Sequence, residues 1–217
     1  MNSDKVKNLL LYFVENIPNL PITKAMKLFF YSDFVSFAET GKSITELDYH
    51  CWDQGPVPPV VHRKLDKDKF DYVKLEKSGR SHLVKATSDA RCVLSVFSPV
   101  ELDVMKRVLN FGRDLWTTEL SARTHCEFPW AKTERYEKIS YEWAAFQKAV
   151  MEHKITPADE EIIMEVITRN PALHHFYESG LADWLDSSPH NEAEDLIDEE
   201  ALTPVHWQKG IGWVQGH

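Results

Sequence analysis

Residues 124–130, with the sequence THCEFPW, hold the side chains of this chain whose types and spacing could do chemistry. The imidazole of His125 and the carboxylate of Glu127 could act as a general acid and base, or supply half of a metal site. Either role needs further groups, and the candidates elsewhere in the chain are His50, His62, His82 and Asp53. No known motif spacing connects them, and a single histidine seldom marks such a site. We therefore interpret His125 as a helix-end residue that bonds a neighbouring loop, with a metal-dependent enzyme using His125 and Glu127 as the alternative.

Other catalytic and cofactor-binding patterns are absent from the sequence. It contains no GxxxxGK[ST] phosphate-binding loop, no GxGxxG, no GxSxG and no HExxH motif. Cys126 adjoins His125, but neighbouring residues on a helix do not face each other, so the pair is not a nucleophile and its base. We therefore assign no catalytic residue, no metal ligand and no cofactor.

Cysteine content and hydropathy indicate a protein of the cytoplasm. The three cysteines, at positions 51, 92 and 126, are an odd number without paired spacing, which argues against a disulfide framework and against a zinc knuckle. No apolar run approaches the ~20 residues of a membrane helix. The charged N-terminus, MNSDKVKNLLLYF, does not resemble a signal peptide. We expect a cytoplasmic protein with no membrane partner.

Negative charge is concentrated near the C-terminus. The formal net charge is −9, and residues 183–217 carry −7 of it through eight acidic residues and one lysine. Such a balance repels nucleic acid phosphates, so we expect no DNA or RNA partner. The same arm contains the apolar residues Trp184, Leu196, Ile197, Trp207, Ile211 and Trp213. A purely solvating tail rarely carries three tryptophans, so the arm is predicted to order against the body or a partner.

The stretch 43–61, SITELDYHCWDQGPVPPVV, combines two aromatic residues with Gly55 and three prolines. Prolines at 56, 58 and 59 exclude ordinary helix and central strand there, because each removes a backbone donor and restricts the residue before it. The stretch therefore predicts a rigid corner. The corner is either a structural connection or a surface that holds aromatic side chains in fixed geometry for a protein partner.

Apolar periodicity and capping residues place this corner among helices. One helix is expected over residues 6–14 and a second over about 22–40, which Gly41 ends as a left-handed cap. The elements expected after the corner are a short helix from Pro58, a β-hairpin in residues 72–86 as the only clear sheet, and helices that start near Ser98, Thr117 and Thr156. A short helix after a long one also allows a helix-turn-helix interpretation, but no basic face accompanies it.

Two blocks of the sequence, in this order, resemble the Panacea, or SocA-like, antitoxin domain. The first follows K-L-L-Y-F-A-D, then G-x-x-I-T, then Y-x-x-W-x-x-G-P-V-P, and its matching residues are Lys27, Leu28, Tyr31, Asp33, Gly41, Ser43, Ile44, Thr45, Tyr49, Trp52, Gly55, Pro56, Val57 and Pro58. The second follows L-S-x-x-T-H-x-x-x-x-W, and its matching residues are Leu120, Ser121, Thr124, His125, Pro129 and Trp130. The resemblance covers about residues 5 to 150.

This resemblance implies a mainly α, α+β fold: a compact helical domain with a small β-hairpin and the Gly/Pro-rich corner. It implies a Panacea domain over residues 1–150, followed by a helical extension with an acidic tail over 151–217. It also implies an antitoxin of a bacterial toxin–antitoxin system, from a family that occurs in prophages too. Its members neutralise a cognate toxin, often a translation inhibitor, by direct binding. The alternative that the family offers is an adaptor that delivers the toxin to a protease.

The expected site residues combine matched positions of the family motif with neighbours of the corner. They are Tyr49, Trp52, Gln54, Gly55, Pro56, Val57, Pro58, His62, Thr124, His125 and Trp130. We expect Trp52 to seat the helix near residue 120 through Trp130 and His125. We expect exposed neighbours of the corner, namely Gln54, Val57 and His62, to contact the partner.

Overall fold

The computed structural model describes residues 1–67, 69–79, 81–170, 205–208 and 212–215. Within them the chain forms eight α-helices and three small antiparallel sheets, which confirms the mainly α, α+β fold class. The helices are α1 (Ser3–Asn16), α2 (Ile22–Thr40), α3 (Pro59–Asp66), α4 (Pro99–Gly112), α5 (Thr117–Cys126), α6 (Phe128–Lys132), α7 (Glu142–Met151) and α8 (Pro157–Arg169). The strands are β1 (Leu20–Pro21), β2 (Tyr49–Trp52), β3 (Gly55–Val57), β4 (Val73–Ser78), β5 (Ser81–Ala86), β6 (Lys138–Ile139), β7 (Val205–Gln208) and β8 (Gly212–Gln215).

Helix α2 is the centre of the fold. It is buried without interruption from Lys24 to Ser36, and α1, α4, α5 and α7 all pack against it. Gly41, with a φ of 74°, ends the helix in the left-handed conformation, as predicted. A helix surrounded by protein is normally apolar. The ionisable side chains of Lys24, Lys27 and Asp33 within it therefore need a specific physical explanation.

The helix starts that capping residues predict are confirmed. The hydroxyl of Ser98 accepts a hydrogen bond from the N–H of Glu101, whose carboxylate accepts one from the N–H of Ser98, and this capping box begins α4. Thr156 and Asp159 form the same arrangement at the start of α8. Helix α5 begins at Thr117. These two caps fix where α4 and α8 begin.

Strands β2 and β3 form a tight hairpin at the corner, and β6 pairs with the other edge of β2. Cys51 lies opposite Pro56, and Asp53 and Gln54 form the turn. Pro56 fits because β3 is an edge strand, where a missing N–H breaks no ladder hydrogen bond, so the exclusion of a central strand is confirmed. The prediction that residues 72–86 hold the only sheet is wrong. A three-residue edge strand of glycine, proline and valine shows no alternating pattern that could reveal it.

The predicted hairpin at residues 72–86 is confirmed as β4 and β5. The two strands pair antiparallel, and β1 adds a short third strand against β5. The main apolar core takes side chains from α1, α2 and α4 and from this sheet. A second, smaller apolar cluster joins α6, α7 and α8 through Phe128, Val150, Ile163 and Val166.

The chain divides into two compact units, Met1–Leu185 and Asp186–His217. In the second unit β7 and β8 pair antiparallel, with Trp207 opposite Trp213 in register. The domain boundary after residue 150 stays a prediction. The predicted contacts of the aromatic side chains in the acidic arm lie outside the described residues. None of the helices in the described part of the chain is both long enough and apolar enough to span a bilayer.

Candidate functional site

The backbone of the corner requires glycine at position 55. Gly55 has a φ of 96°, a conformation that residues with side chains rarely adopt. A Cβ at this position would lie 2.6 Å from Oγ1 of Thr124 and 2.7 Å from Nζ of Lys27. The corner therefore packs with its backbone directly on α2 and α5, and only glycine leaves room for this approach.

Lys27 lies fully buried beneath the corner. Its Nζ donates a hydrogen bond to the carbonyl of Pro56 over 3.1 Å, and among the described residues no carboxylate stabilises its charge. Burial consequently lowers the pKa of the Lys27 ammonium group to about 7. Near pH 7 the buried side chain of Lys27 is therefore divided between its charged and neutral forms.

Asp33 is the second buried charge of α2 beneath the corner. Its carboxylate accepts hydrogen bonds from the N–H of Thr45 over 2.7 Å, from the hydroxyl of Thr45, and from the hydroxyl of Tyr49 over 2.7 Å. Burial raises the pKa of Asp33 to about 6, although these hydrogen bonds act in the opposite direction. Tyr49 is fully buried, so its ring holds strand β2 on α2 and is not available to a partner.

Aromatic contacts join the corner to the helices on both sides. The indole Nε1 of Trp130 donates to the carbonyl of Trp52 over 3.4 Å, and the ring of His125 packs on Trp130 with centroids 4.2 Å apart. On the other side, the rings of Trp52 and His62 meet edge to face at 5.4 Å. The second sequence block therefore lies against the first, although 72 residues separate Trp52 from Thr124.

Burial separates the expected site residues into two groups. The buried ones are Tyr49, Gly55, Pro56, Val57, Pro58 and Thr124. The half-buried or exposed ones are Trp52, Gln54, His62, His125 and Trp130. The expectation that Val57 is an exposed contact residue is wrong, because β3 packs against α2 and α5 and leaves this side chain 6% exposed.

His125 and Glu127 lie in separate environments. Nε2 of His125 is buried and has no hydrogen-bond partner among the described residues, while the backbone carbonyl of His125 accepts a hydrogen bond from the side-chain amide of Asn170 over 3.3 Å. Burial, and secondarily the charge of Lys27, lowers the pKa of His125 to about 4. The carboxylate of Glu127 accepts hydrogen bonds from the hydroxyl of Tyr31 over 3.0 Å and from the amide of Gln147 over 2.7 Å, and burial raises its pKa. Among the described residues, no three histidine, cysteine or acidic side chains are grouped so that they could hold a metal ion.

Replacing His125 with phenylalanine should leave the free energy of unfolding at pH 7 unchanged or higher. Phenylalanine keeps the ring contact with Trp130 and removes a buried nitrogen that has no partner. The variant should also lose part of the dependence of stability on pH. The pKa of His125 is about 4 in the folded state and 6.5 when unperturbed, so this imidazole binds more protons in the unfolded state between these values, and its contribution to wild-type stability rises with pH there. Urea unfolding from pH 4.5 to 7.5 measures both effects.

His82 on β5 is the matched control, because it is an exposed histidine. The change His82→Phe should leave the free energy of unfolding at pH 7 as it is in the wild type. If His125→Phe lowered the free energy of unfolding at pH 7 by several kcal/mol, the packing role of this ring would be contradicted. The substitution breaks no hydrogen bond of the buried nitrogen, so no such loss is expected.

A cavity of about 260 Å³ lies beside the corner. Its walls consist of Thr23, Met26, Lys27, Trp52, Asp53, Gln54, Val57, His62 and Tyr136. Asp53, the one carboxylate among these residues, forms an ion pair with Arg135 and accepts a hydrogen bond from the hydroxyl of Tyr136 over 3.4 Å. The cavity thus joins α2, the corner and α3 to the segment that precedes β6.

Several residues that organise this site received no role from sequence reasoning. A signal was present for Lys27 and Asp33, because charged residues interrupt an otherwise apolar helix whose every face is buried. Tyr136 and Arg135 gave no signal, since 82 residues separate Arg135 from its partner Asp53. Only the three-dimensional fold brings them to the corner.

Comparison with protein families gives one match that covers this site. Residues 26–131 match the family model described as the SocA-like antitoxin, Panacea domain. The matched segment starts in α2 and ends in α6, so it contains the buried charges, the corner and its contact with Trp130. Comparisons with curated proteins and with solved structures find no match. Residues 26–131 of the chain are therefore similar to the SocA-like antitoxin, Panacea domain.

Proposed function

We propose that this chain neutralises a cognate protein toxin by direct, stoichiometric binding. The observation that carries the proposal is the antitoxin-type domain at residues 26–131. The geometry of the corner supports it. Gly55 is locked against α2 and α5, and Tyr49 is bonded to Asp33, so the residues at the turn are held in place before any partner binds. Prior ordering of this kind reduces the entropy that an interface loses on association.

The proposed contact area, which we call the corner surface, consists of Trp52, Gln54, His62 and Tyr136. Gln54 is exposed, Trp52 and His62 are half-buried, and Tyr136 is 58% exposed. Tyrosine and tryptophan are enriched among the residues that contribute most to protein–protein affinity. The corner surface therefore offers two aromatic anchors on a rigid support.

Co-expression with the product of the adjacent gene tests this function. The chain should restore growth to cells that the gene product arrests, and affinity purification should recover the two proteins in a fixed ratio. Tyr136→Ala should weaken the complex at least tenfold, about 1.4 kcal/mol, because it removes an aromatic anchor. Met164→Ala on α8 is the matched control, since Met164 is 57% exposed and lies outside the corner surface. Isothermal titration calorimetry measures both affinities.

Two results would contradict direct neutralisation through this surface. Rescue of growth without a complex would exclude stoichiometric binding, and equal affinities for Tyr136→Ala and Met164→Ala would exclude the corner surface.

Protease delivery, the alternative mechanism of this family, predicts that rescue fails in a strain that lacks the relevant ATP-dependent protease. Direct neutralisation predicts that rescue persists there with the toxin still present.

A further inference from the structure

Tyr136, which lines the cavity beside the corner, has a backbone conformation that is costly for a bulky residue. Its φ is 68°, in the left-handed region that large side chains rarely adopt. The backbone N–H of Tyr136 donates to the carbonyl of Cys51 over 2.7 Å, and its own carbonyl accepts a hydrogen bond from Nδ1 of His50 over 3.0 Å. Both partners belong to strand β2, so the corner itself holds Tyr136 in this conformation.

The side chain of Tyr136 is also held, although it is 58% exposed. Its hydroxyl donates to the carboxylate of Asp53 over 3.4 Å, and the guanidinium of Arg135 lies 4.9 Å from the centre of its ring. Arg135 in turn pairs with Asp53. Residues in costly backbone conformations persist where their surroundings impose them, and such residues cluster at functional sites. Here the imposed conformation places an exposed aromatic ring at the cavity.

The charged groups of the cavity wall are paired, neutral or directed elsewhere. Asp53 is paired with Arg135. Burial lowers the pKa of His62, so its ring is mainly neutral at pH 7. Nζ of Lys27 donates to the carbonyl of Pro56 beneath the backbone of the corner, and burial lowers its pKa to about 7. An ion that entered the cavity would lose its hydration without gaining a matched charge, so these walls favour a neutral occupant.

Four side chains give the cavity an apolar lining of limited size. The rings of Trp52 and Tyr136 are its more accessible part, whereas Met26 and Val57 are only 1% and 6% exposed. The volume of about 260 Å³ is below the ~300–1,000 Å³ that is usual for small-molecule pockets. An apolar cavity of ~150 Å³ is nevertheless large enough to hold benzene. The space therefore suits one hydrocarbon side chain.

We propose that the cavity beside the corner receives one apolar side chain of the toxin, of about the size of leucine, which packs against the rings of Trp52 and Tyr136. The inference rests on the proposed function and deepens it by naming the group that the partner inserts. Thr23 and Gln54 add neutral polar groups to the wall, which suit the backbone on either side of the inserted side chain. Residues that fill such pockets near the centre of an interface contribute most of its affinity.

The first test uses small mimics of the inserted residue on the purified full chain. N-acetylleucine N-methylamide is titrated into isotope-labelled protein, with N-acetylasparagine N-methylamide as a polar probe of similar size. We expect saturable shifts of the Trp52 indole resonance with the leucine probe. The asparagine probe should bind at least tenfold more weakly, because apolar walls do not replace the hydration of its amide. Equal binding of the two probes, or leucine-probe shifts that leave Trp52 unaffected, would overturn the proposal.

A substitution that fills the cavity should block this binding. Thr23 is the second residue of α2 and part of the cavity wall, and phenylalanine and threonine have similar helix propensities. Thr23→Phe should therefore abolish binding of the leucine probe. The matched control is Thr118→Phe at the second residue of α5, which should retain it. Circular dichroism shows that both variants are folded, and probe affinity that survives in folded Thr23→Phe would contradict the proposed site.

Two substitutions of Tyr136 separate its ring from its backbone conformation. Tyr136→Gly and Tyr136→Ala both remove the ring, but glycine adopts a positive φ without the strain that alanine retains. Both variants should lose at least tenfold in affinity for the toxin, and Tyr136→Gly should melt at a higher temperature than Tyr136→Ala. Wild-type affinity in Tyr136→Gly would show that the ring does not contact the inserted side chain. A lower melting temperature for Tyr136→Gly than for Tyr136→Ala would contradict the strained conformation on which the inference draws.

The co-expression complex separates this inference from the proposed function. Thr23→Phe should weaken the complex at least tenfold, and Thr118→Phe should preserve it. Among alanine substitutions of apolar surface residues of the toxin, one should weaken the wild-type complex at least tenfold and have little further effect on Thr23→Phe, since a filled cavity no longer receives that side chain. If Thr23→Phe binds the toxin as tightly as the wild type, the proposed function stands and the cavity site is wrong. If the leucine probe binds but no toxin complex forms, the proposed function fails and the toxin is not the occupant.

Discussion

Gly55→Ala should destabilise the protein by about 3 kcal/mol or more, because two separate costs add. A residue with a side chain held at a φ of 96° is strained by roughly 1–3 kcal/mol. The new Cβ would also lie 2.6 Å from Oγ1 of Thr124 and 2.7 Å from Nζ of Lys27. Relieving such contacts in a packed interior costs a further ~1–3 kcal/mol. Urea unfolding followed by circular dichroism measures the total.

Gly41→Ala separates the two costs. Gly41 has a similar φ of 74°, but no atom lies within 4 Å of the position that its Cβ would take. It should therefore show only the conformational cost, roughly 1–2 kcal/mol. The contact cost at the corner should also shrink when Thr124→Ala is combined with Gly55→Ala, so that the double variant is more stable than the sum of the single effects. Equal destabilisation by Gly55→Ala and Gly41→Ala would contradict the close packing of the corner on α5.

The elements that could be predicted from the sequence depend on contacts within a few residues. Ser98 and Glu101 form a capping box three residues apart, and Gly41 ends α2 through a conformation that glycine adopts easily. The rigidity of the corner also follows from proline chemistry alone. Each of these features has the same meaning in almost any tertiary context, and the structure contains both the capping box and the glycine cap.

The candidate site could be predicted only in part, because its geometry depends on distant residues. Val57 lies between Pro56 and Pro58, and its burial results from the packing of β3 on α2 and α5. Tyr136 and Arg135 reach the corner through β6, a two-residue strand with no pattern of its own. The family resemblance named Lys27 as a motif position, but its missing counter-ion is visible only when all of its neighbours are known.

Asp33→Ala should cost roughly 3–5 kcal/mol, because it leaves three buried donors without an acceptor. These donors are the N–H and hydroxyl of Thr45 and the hydroxyl of Tyr49. Since Tyr49 anchors β2, the variant should also loosen the corner surface and weaken the toxin complex. Asp33→Asn keeps the shape and one acceptor oxygen, so its cost should be smaller. The exposed Asp103, which pairs with Arg107 one turn along α4, is the control, and Asp103→Ala should change stability by about 0.5 kcal/mol or less.

The pH dependence of the stability cost of Asp33→Asn shows whether burial or hydrogen bonding dominates the pKa of the Asp33 carboxylate. The pKa of Asp33 is about 6 in the folded protein against an ordinary value of 3.8, so this carboxyl group binds more protons in the folded state between these values, and its contribution to wild-type stability falls as pH rises from 4 to 6. Asp33→Asn cannot titrate, so its deficit relative to the wild type should shrink over the same range. A stability deficit of Asp33→Asn that grows with pH would mean that the hydrogen bonds of Asp33 lower its pKa by more than burial raises it. The comparison must be between the two proteins, because His125 makes the stability of both rise with pH across the same interval and would mask the effect in a single curve.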